Sequence, residues 1–181
     1  LFAAVFVAFF AVGGRYSLAL ADEFLVSYHP GDYGIAETMT PQKVTEGDTV
    51  VIKENTYSRD KYSFLYWEDS DGHIYHSGES VVVNKNIDLF AKWQDCKDAT
   101  TTNTITFRSD IFGSQTRTQT VYSNYNAELY MNIFSKPNNQ FMRWKSLKVL
   151  PTDPESIYDD GAIINIDRDI TTQEYRYHKI K

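Results

Sequence analysis

A histidine pair, two aspartate-rich segments and a lone cysteine are the residues whose types and spacing could support chemistry. His73-x-x-His76 offers two imidazoles, but residues three apart on an extended chain point to opposite faces. No cysteine or third histidine lies nearby to complete a metal set, so the pair reads as part of a surface hairpin. Asp69-Ser70-Asp71-Gly72 opens in the manner of an oxygen-rich calcium loop. It lacks the ligand series and terminal glutamate that such a loop needs, and it reads as a β-turn, as does Asp159-Asp160-Gly161. Cys96 has no histidine or basic cluster beside it to generate a thiolate nucleophile. In the polar stretch Asp95 to Asn103 it is either a free thiol or half of an interchain disulfide. Glycoside hydrolysis needs two carboxylates facing each other across a cleft, whereas the acids here fall in turns and in that stretch. No G-x-S-x-G motif occurs. The sequence assigns no catalytic residue, no cofactor and no metal site.

The elements that carry these residues sit in a chain of 181 residues with 15% aromatics, including 13 Tyr and 11 Phe. An apolar fraction of 42% permits a buried core. A net charge of -6 argues against a nucleic-acid partner, because phosphate contacts need clustered Lys and Arg. Leu1 to Val12 is an apolar run too short to cross a bilayer. It is followed by Gly13, Gly14 and the small-residue site Ala19-Leu20-Ala21, which reads as a signal peptide over residues 1–21. The absence of an initiator Met and a basic leading region reads as a precursor truncated at its start. This predicts a secreted or cell-surface protein that meets the membrane only through its signal peptide.

The remainder contains one pattern twice. An offset of 77 aligns Gln42-Lys43-Val44 with Gln119-Thr120-Val121, Ile52 with Leu129, Tyr57 with Phe134, Phe64 with Phe141 and Trp67 with Trp144. Val26-Ser27-Tyr28 meets Ile105-Thr106-Phe107 at offset 79, while Gly78 meets Gly161 and Ile87 meets Ile170 at offset 83. These shifts place length changes, including an insertion at Lys148 to Asp160, in turn-like stretches that tolerate them. The expected organisation is a first unit over 22–95, a linker over 96–103 and a second, divergent unit over 104–181.

Within the first unit, Phe24 to Tyr28, Thr49 to Ile52, Tyr62 to Trp67, Val81 to Val83 and Ile87 to Trp93 are rich in β-branched and aromatic residues and are separated by turn formers. The expected fold is mostly β: two small, largely antiparallel sheets in tandem, with at most a short helical turn at Pro41 to Thr49 or Glu54 to Asp60. Along Leu89 to Trp93 both faces carry apolar residues, so that strand reads as poorly amphipathic. Phe64 and Trp67 have opposite parity in a straight strand, which predicts a bulge or bend between them. The expected aromatic core is Tyr28, Phe64, Trp67 and Trp93, with Phe107, Phe141, Trp144 and Tyr177 in the second unit.

Val26-Ser27-Tyr28, Gln42-Lys43-Val44, Gly47-Asp48-Thr49-Val50, Tyr57-Ser58-Arg59, Tyr62-Ser63-Phe64, Trp67, Gly78 and Ile87 to Trp93 together resemble the internalin-type B repeat. This family is also called the Listeria/Bacteroides repeat, a β-grasp-like module of exported bacterial surface proteins. The second unit resembles it through Ile105-Thr106-Phe107, Phe141, Trp144, Gly161 and Ile170, and ends in Tyr175-Arg176-Tyr177 where the first has its Trp. Lys61 stands where the family usually has Gly, and Asn124 stands opposite Gly47, an exchange that a left-handed backbone tolerates. The resemblance implies surface presentation, adhesion or spacing, and brings no active site. The partner it implies is a protein or glycan at a cell surface. Tyr66, Tyr75, Tyr125 and Tyr158 are the candidate interaction surface, since tyrosine rings stack on sugars and anchor protein partners. A carbohydrate-binding module is the alternative reading.

Overall fold

A computed structural model describes residues 22–31, 33, 35–110, 114–137, 139–147 and 156–178, with the side chains of residues 177 and 178 excepted. The expected signal peptide and most of the Lys148 to Asp160 insertion lie outside these residues.

Seven strands form the first unit: β1 (Glu23–His29), β2 (Gln42–Thr45), β3 (Thr49–Val51), β4 (Tyr62–Glu68), β5 (Ile74–Tyr75), β6 (Ser80–Val82) and β7 (Ile87–Asp95). Seven more follow: β8 (Thr102–Arg108), β9 (Thr116–Tyr122), β10 (Asn126–Glu128), β11 (Asn139–Ser146), β12 (Ile157–Tyr158), β13 (Ile163–Asn165) and β14 (Ile170–His178). The first sheet has the order β2-β1-β7-β4-β5 beside a β3-β6 ribbon. The second, taken from its other edge, runs β9-β8-β14-β11-β12 beside a β10-β13 ribbon, so each strand has a counterpart in the other unit. Pairing is antiparallel throughout except at each sheet's centre, where β1 runs parallel to β7 and β8 parallel to β14.

The registers agree with the offsets found in the sequence. Val26 pairs with Ile87 as Ile105 pairs with Ile170, and Trp67 pairs with Tyr75 as Trp144 pairs with Tyr158. The ladder slips between Phe64 and Tyr66, and again between Phe141 and Arg143. This bulge turns both members of each aromatic pair inward: Phe64 and Trp67 lie 5.1 Å apart by ring centroid, and Phe141 and Trp144 lie 5.0 Å apart.

Two apolar cores result, one around Val26, Tyr28, Ile52, Trp67 and Leu89, the other around Ile105, Phe107, Leu129, Trp144 and Ile164. Tyr28 closes over Trp67 edge-on and Phe107 over Trp144. Phe64, Trp93 and Phe141 are half-buried and pack against these cores.

The fold stays within the expectation of at most a short helical turn, while the reading of the Leu89 to Trp93 strand as poorly amphipathic is corrected. No helical turn forms at Pro41 to Thr49, because Gln42–Thr45 is drawn out as β2 by pairing with β1. Glu54 to Asp60 also lacks one; the Asn55 side chain bonds the Tyr57 amide and carbonyl, a local bond that competes with helix. β7 is cleanly amphipathic: Ile87, Leu89 and Ala91 are buried while Asp88 and Phe90 are exposed. Phe90 tolerates its outward place by stacking on the His29 ring at 4.8 Å. Cys96 is buried, its sulfur 3.5 Å from Ser63 Oγ, so it is shut off from interchain pairing in the intact fold.

The place of Trp93 in the second unit belongs to Arg176, since Phe64 pairs with Trp93 and Phe141 with Arg176. Tyr177 pairs with Gln140 instead, and its side chain lies outside the described residues. Arg176 forks onto Glu174, which replaces Ala91, and also donates to the Phe134 carbonyl at 2.8 Å. A charged pair thus occupies a layer that is apolar in the first unit.

Two non-glycine residues hold left-handed backbone, Lys61 at φ 59° and Asn124 at φ 65°. Asn124 matches Gly47 at φ 81°, as expected of the exchange. Lys61 is held there from several sides: its amide donates to the Tyr122 hydroxyl, its carbonyl accepts from the Cys96 amide and its Nζ reaches the Ala99 carbonyl.

Candidate interaction groove

The chain between β3 and β4 forms no strand, and beside β4 and β7 it leaves a groove walled by Asn55, Tyr57, Ser58, Arg59, Phe64 and Trp93. Arg59 lies between two rings, 3.4 Å from the centre of Tyr33 and 3.3 Å from that of Tyr62. The second unit lines the other side of this groove with Gln119 to Tyr122 of β9, with Ala127 and Glu128 of β10 and with Tyr130, leaving a half-open space of about 320 Å³ between the units.

The seam between the units is polar, for the two apolar cores remain separate. Glu54 receives the Arg117 guanidinium and the Met131 amide, the latter at 2.8 Å. Arg117 also bonds the Met131 carbonyl at 3.1 Å and lies 4.1 Å from the centre of the Tyr130 ring. Glu128, 5% exposed, accepts from the Ser77 amide at 3.0 Å and the Ser77 hydroxyl at 2.6 Å, and bonds His76 Nδ1 at 3.1 Å. The Asn126 amide donates to Gln94 Oε1 at 2.8 Å. Ser77, His76 and Glu128 do not form a nucleophilic triad: the hydroxyl donates to the carboxylate, and the imidazole is bound to that carboxylate rather than to the hydroxyl. The seam does structural work.

Gly161 meets the Ser77 carbonyl so closely that a Cβ there would lie 2.5 Å from its oxygen, at φ +65°. Gly161→Ala is therefore expected to lower stability by about 1 to 3 kcal/mol and to loosen the seam, read by chemical denaturation and by faster amide exchange at Ser77.

Titration acts on the same face. Burial pushes Glu128 up against the hydrogen bonds from His76 and Ser77, while the bond to Glu128 pushes His76 up. Burial also raises Asp160, to about 6, against hydrogen bonds from the Asn132 amide and Trp144 Nε1. An acid whose folded pKa is raised holds its proton more tightly when folded, so its stabilising effect is lost as pH rises. The His76 contribution is complete below 6.5 and likewise lost as pH rises through its folded value. Melting temperature should therefore fall as pH rises from 3.8 through about 6, and Asp160→Asn should flatten that segment of the profile.

The two histidines of His73-x-x-His76 serve different carboxylates, His73 on Asp69 and His76 on Glu128. Ligand atoms of Asp69, Asp71 and His73 lie within 4.8 Å of one another. Asp69, however, is already filled by the Asp71 and His73 amides, the His73 ring and the Tyr75 hydroxyl, and Asp71 pairs with Lys85. Burial raises the Asp69 pKa, but the bonds from His73, Tyr75 and Asp71 outweigh it and hold the group at about 2. This is a closed turn.

The four candidate tyrosines are all half-buried. Tyr75 bonds Asp69, and Tyr158 packs on the second core. Tyr66 faces His76 with ring centroids 6.4 Å apart, and Tyr125 sits in the turn between β9 and β10.

The second unit has the same groove. Asn132, Phe134, Ser135, Lys136, Phe141 and Arg176 line a space of about 380 Å³, at the positions of Asn55, Tyr57, Ser58, Arg59, Phe64 and Trp93. No part of the described chain closes it as the second unit closes the first.

A parallel central pair, a bulge before the core Trp and a left-handed Gly47 define the first unit. Residues 24–92 match the Listeria-Bacteroides repeat domain. The repeat takes in β1 through most of β7 and contains the first groove except for Trp93. Such repeats are typical of bacterial surface proteins and are generally non-catalytic. No curated protein and no solved structure matches the chain. Among the described residues no helix is long and apolar enough to cross a membrane.

The seam residues form no motif, because they differ between the two units at aligned positions. Offset 77 sets Glu54 opposite Met131, Val51 opposite Glu128 and Thr40 opposite Arg117. Charge present in one copy and absent from the other is the signal that marks them.

Proposed function

We propose that the chain is a non-catalytic, secreted or cell-surface repeat protein. Its two internalin-type B-repeat units, the second degenerate, form one stiff module for adhesion, protein interaction or spacing. The observation that carries this reading is the covered groove: the second unit seats itself on the repeat through Glu54, Arg117, Glu128 and Ser77. Such a seam fixes the angle between units, which suits a spacer and gives a partner a surface of constant shape. Protease treatment of intact producing cells, followed by antibody detection, tests the location. Loss of the protein or its presence in the medium is expected; a protected intracellular pool would contradict the reading. The glycan alternative draws less support, because all four tyrosines that would form a stacking platform are half-buried, with Tyr75 bonded to Asp69 and Tyr158 packed on the second core.

A further inference from the structure

The half-open space between the units has an open strand edge in one wall. β9 lies outermost in its sheet and pairs only with β8. The Ser109 amide bonds the Gln115 carbonyl and the Ser123 amide bonds the Thr101 carbonyl, at the two ends of one continuous register. Opposed residues of an antiparallel ladder alternate between bonded and unbonded pairs, so Arg117, Gln119 and Val121 are the residues bonded to β8. Thr118, Thr120 and Tyr122 therefore turn their amides and carbonyls away from the sheet. Among the described residues only the Tyr122 carbonyl finds a partner there, the Tyr125 amide at 3.2 Å. Thr120 and Tyr122 line the space, and Arg59 lines it from the first unit. Arg59 stacks between Tyr33 and Tyr62, its Nη1 is buried without a hydrogen-bond partner, and no carboxylate of the described residues pairs with it. The acids at the space are already engaged, Glu54 by Arg117 and Glu128 by Ser77 and His76. One uncompensated cation and a row of unpaired backbone groups thus share a space whose remaining wall is largely aromatic: Tyr57, Phe64, Trp93 and Tyr130.

We propose that this space takes an extended peptide segment of a partner protein, added as a strand to the open edge of β9 and carrying a carboxylate to Arg59. Strand addition draws affinity from main-chain bonds and specificity from pockets for alternate side chains. Thr120 offers an amide and a carbonyl and Tyr122 a further amide, two residues along, a spacing that a β-strand backbone matches and a sugar ring does not. A guanidinium without an acid partner selects a carboxylate among side chains, by charge-assisted hydrogen bonds. At about 320 Å³ the space holds a few residues of chain and excludes a folded domain. The inference rests on the interaction-module reading and names the partner's chemistry; its failure would leave the test of surface location unaffected.

The probe is a mixture of acetylated, amidated hexapeptides of the strand-forming residues Val, Ile, Thr, Tyr and Phe around one central Glu, titrated into the isotope-labelled full chain. Amide exchange at Thr118, Thr120 and Tyr122 is expected to slow about ten-fold, while Gln119 and Val121, already bonded to β8, change little. The same mixture with Gln in place of Glu should bind about five-fold more weakly, and Arg59→Gln should erase that difference. N-methylation of every peptide amide should abolish the protection, a control that leaves the protein untouched. Thr120→Pro, which removes an outward amide at a place where an edge strand tolerates proline, should abolish protection at Tyr122. No slowing, slowing that survives N-methylation, equal slowing by the Glu and Gln mixtures, or a preference for Glu that survives Arg59→Gln overturns the proposal.

Discussion

Replacing Trp67 or Trp144 by Ala should cost about 3 to 5 kcal/mol each, against a total stability of about 5 to 15 kcal/mol for a natural domain. Each indole is buried, bounded by three aromatic rings and anchored by its Nε1, which donates to the Lys53 carbonyl in the first unit and to Asp160 in the second. Truncation removes the ring contacts and leaves a void where β4 or β11 bulges inward. In the second unit it also deprives a half-buried carboxyl of a donor. Trp144→Ala should thus lower the melting temperature most at a pH where Asp160 is ionised. Denaturant unfolding at two pH values checks both parts; a change under 1 kcal/mol would mean that the rings do not form the cores.

The second large effect is expected at Arg176. Its guanidinium is 10% exposed and the Glu174 carboxylate it binds is 1% exposed. Arg176→Ala leaves that carboxylate buried without its cation, a loss of about 3 to 5 kcal/mol. Replacing a buried ion pair by apolar groups of fitting shape is often neutral or stabilising. The double change Glu174→Ala with Arg176→Trp, which restores the first unit's Ala91 and Trp93, should therefore recover most of the loss. Thermal melting of the single and double variants decides it, and a double variant no better than the single one would contradict the shared register of β7 and β14.

Much of this architecture was readable in the residues because it depends on side-chain type at fixed spacing. The offsets of 77, 79 and 83 survive as pairing registers, the parity conflict between Phe64 and Trp67 becomes a bulge, and Asn124 takes the left-handed turn of Gly47. The parallel centre of each sheet was not readable, since it joins strands far apart in sequence and leaves no local pattern. At the tail of the second unit aromatic likeness points to the tyrosines of Tyr175-Arg176-Tyr177, while backbone register gives the Trp93 place to Arg176. The seam could be inferred only from contrast between copies. Glu54, Arg117 and Glu128 are ordinary surface types until folding brings them together.

The second unit is seated against the first unit's groove, and the Lys61 amide beside the Tyr122 hydroxyl, at 2.9 Å, is the most direct reporter of that contact. In an isotope-labelled chain, a nuclear Overhauser effect from that amide to the Tyr122 ring, with one rotational correlation time for both sheets, is the predicted result. Absence of that effect together with independent tumbling of the two sheets would contradict the seated arrangement.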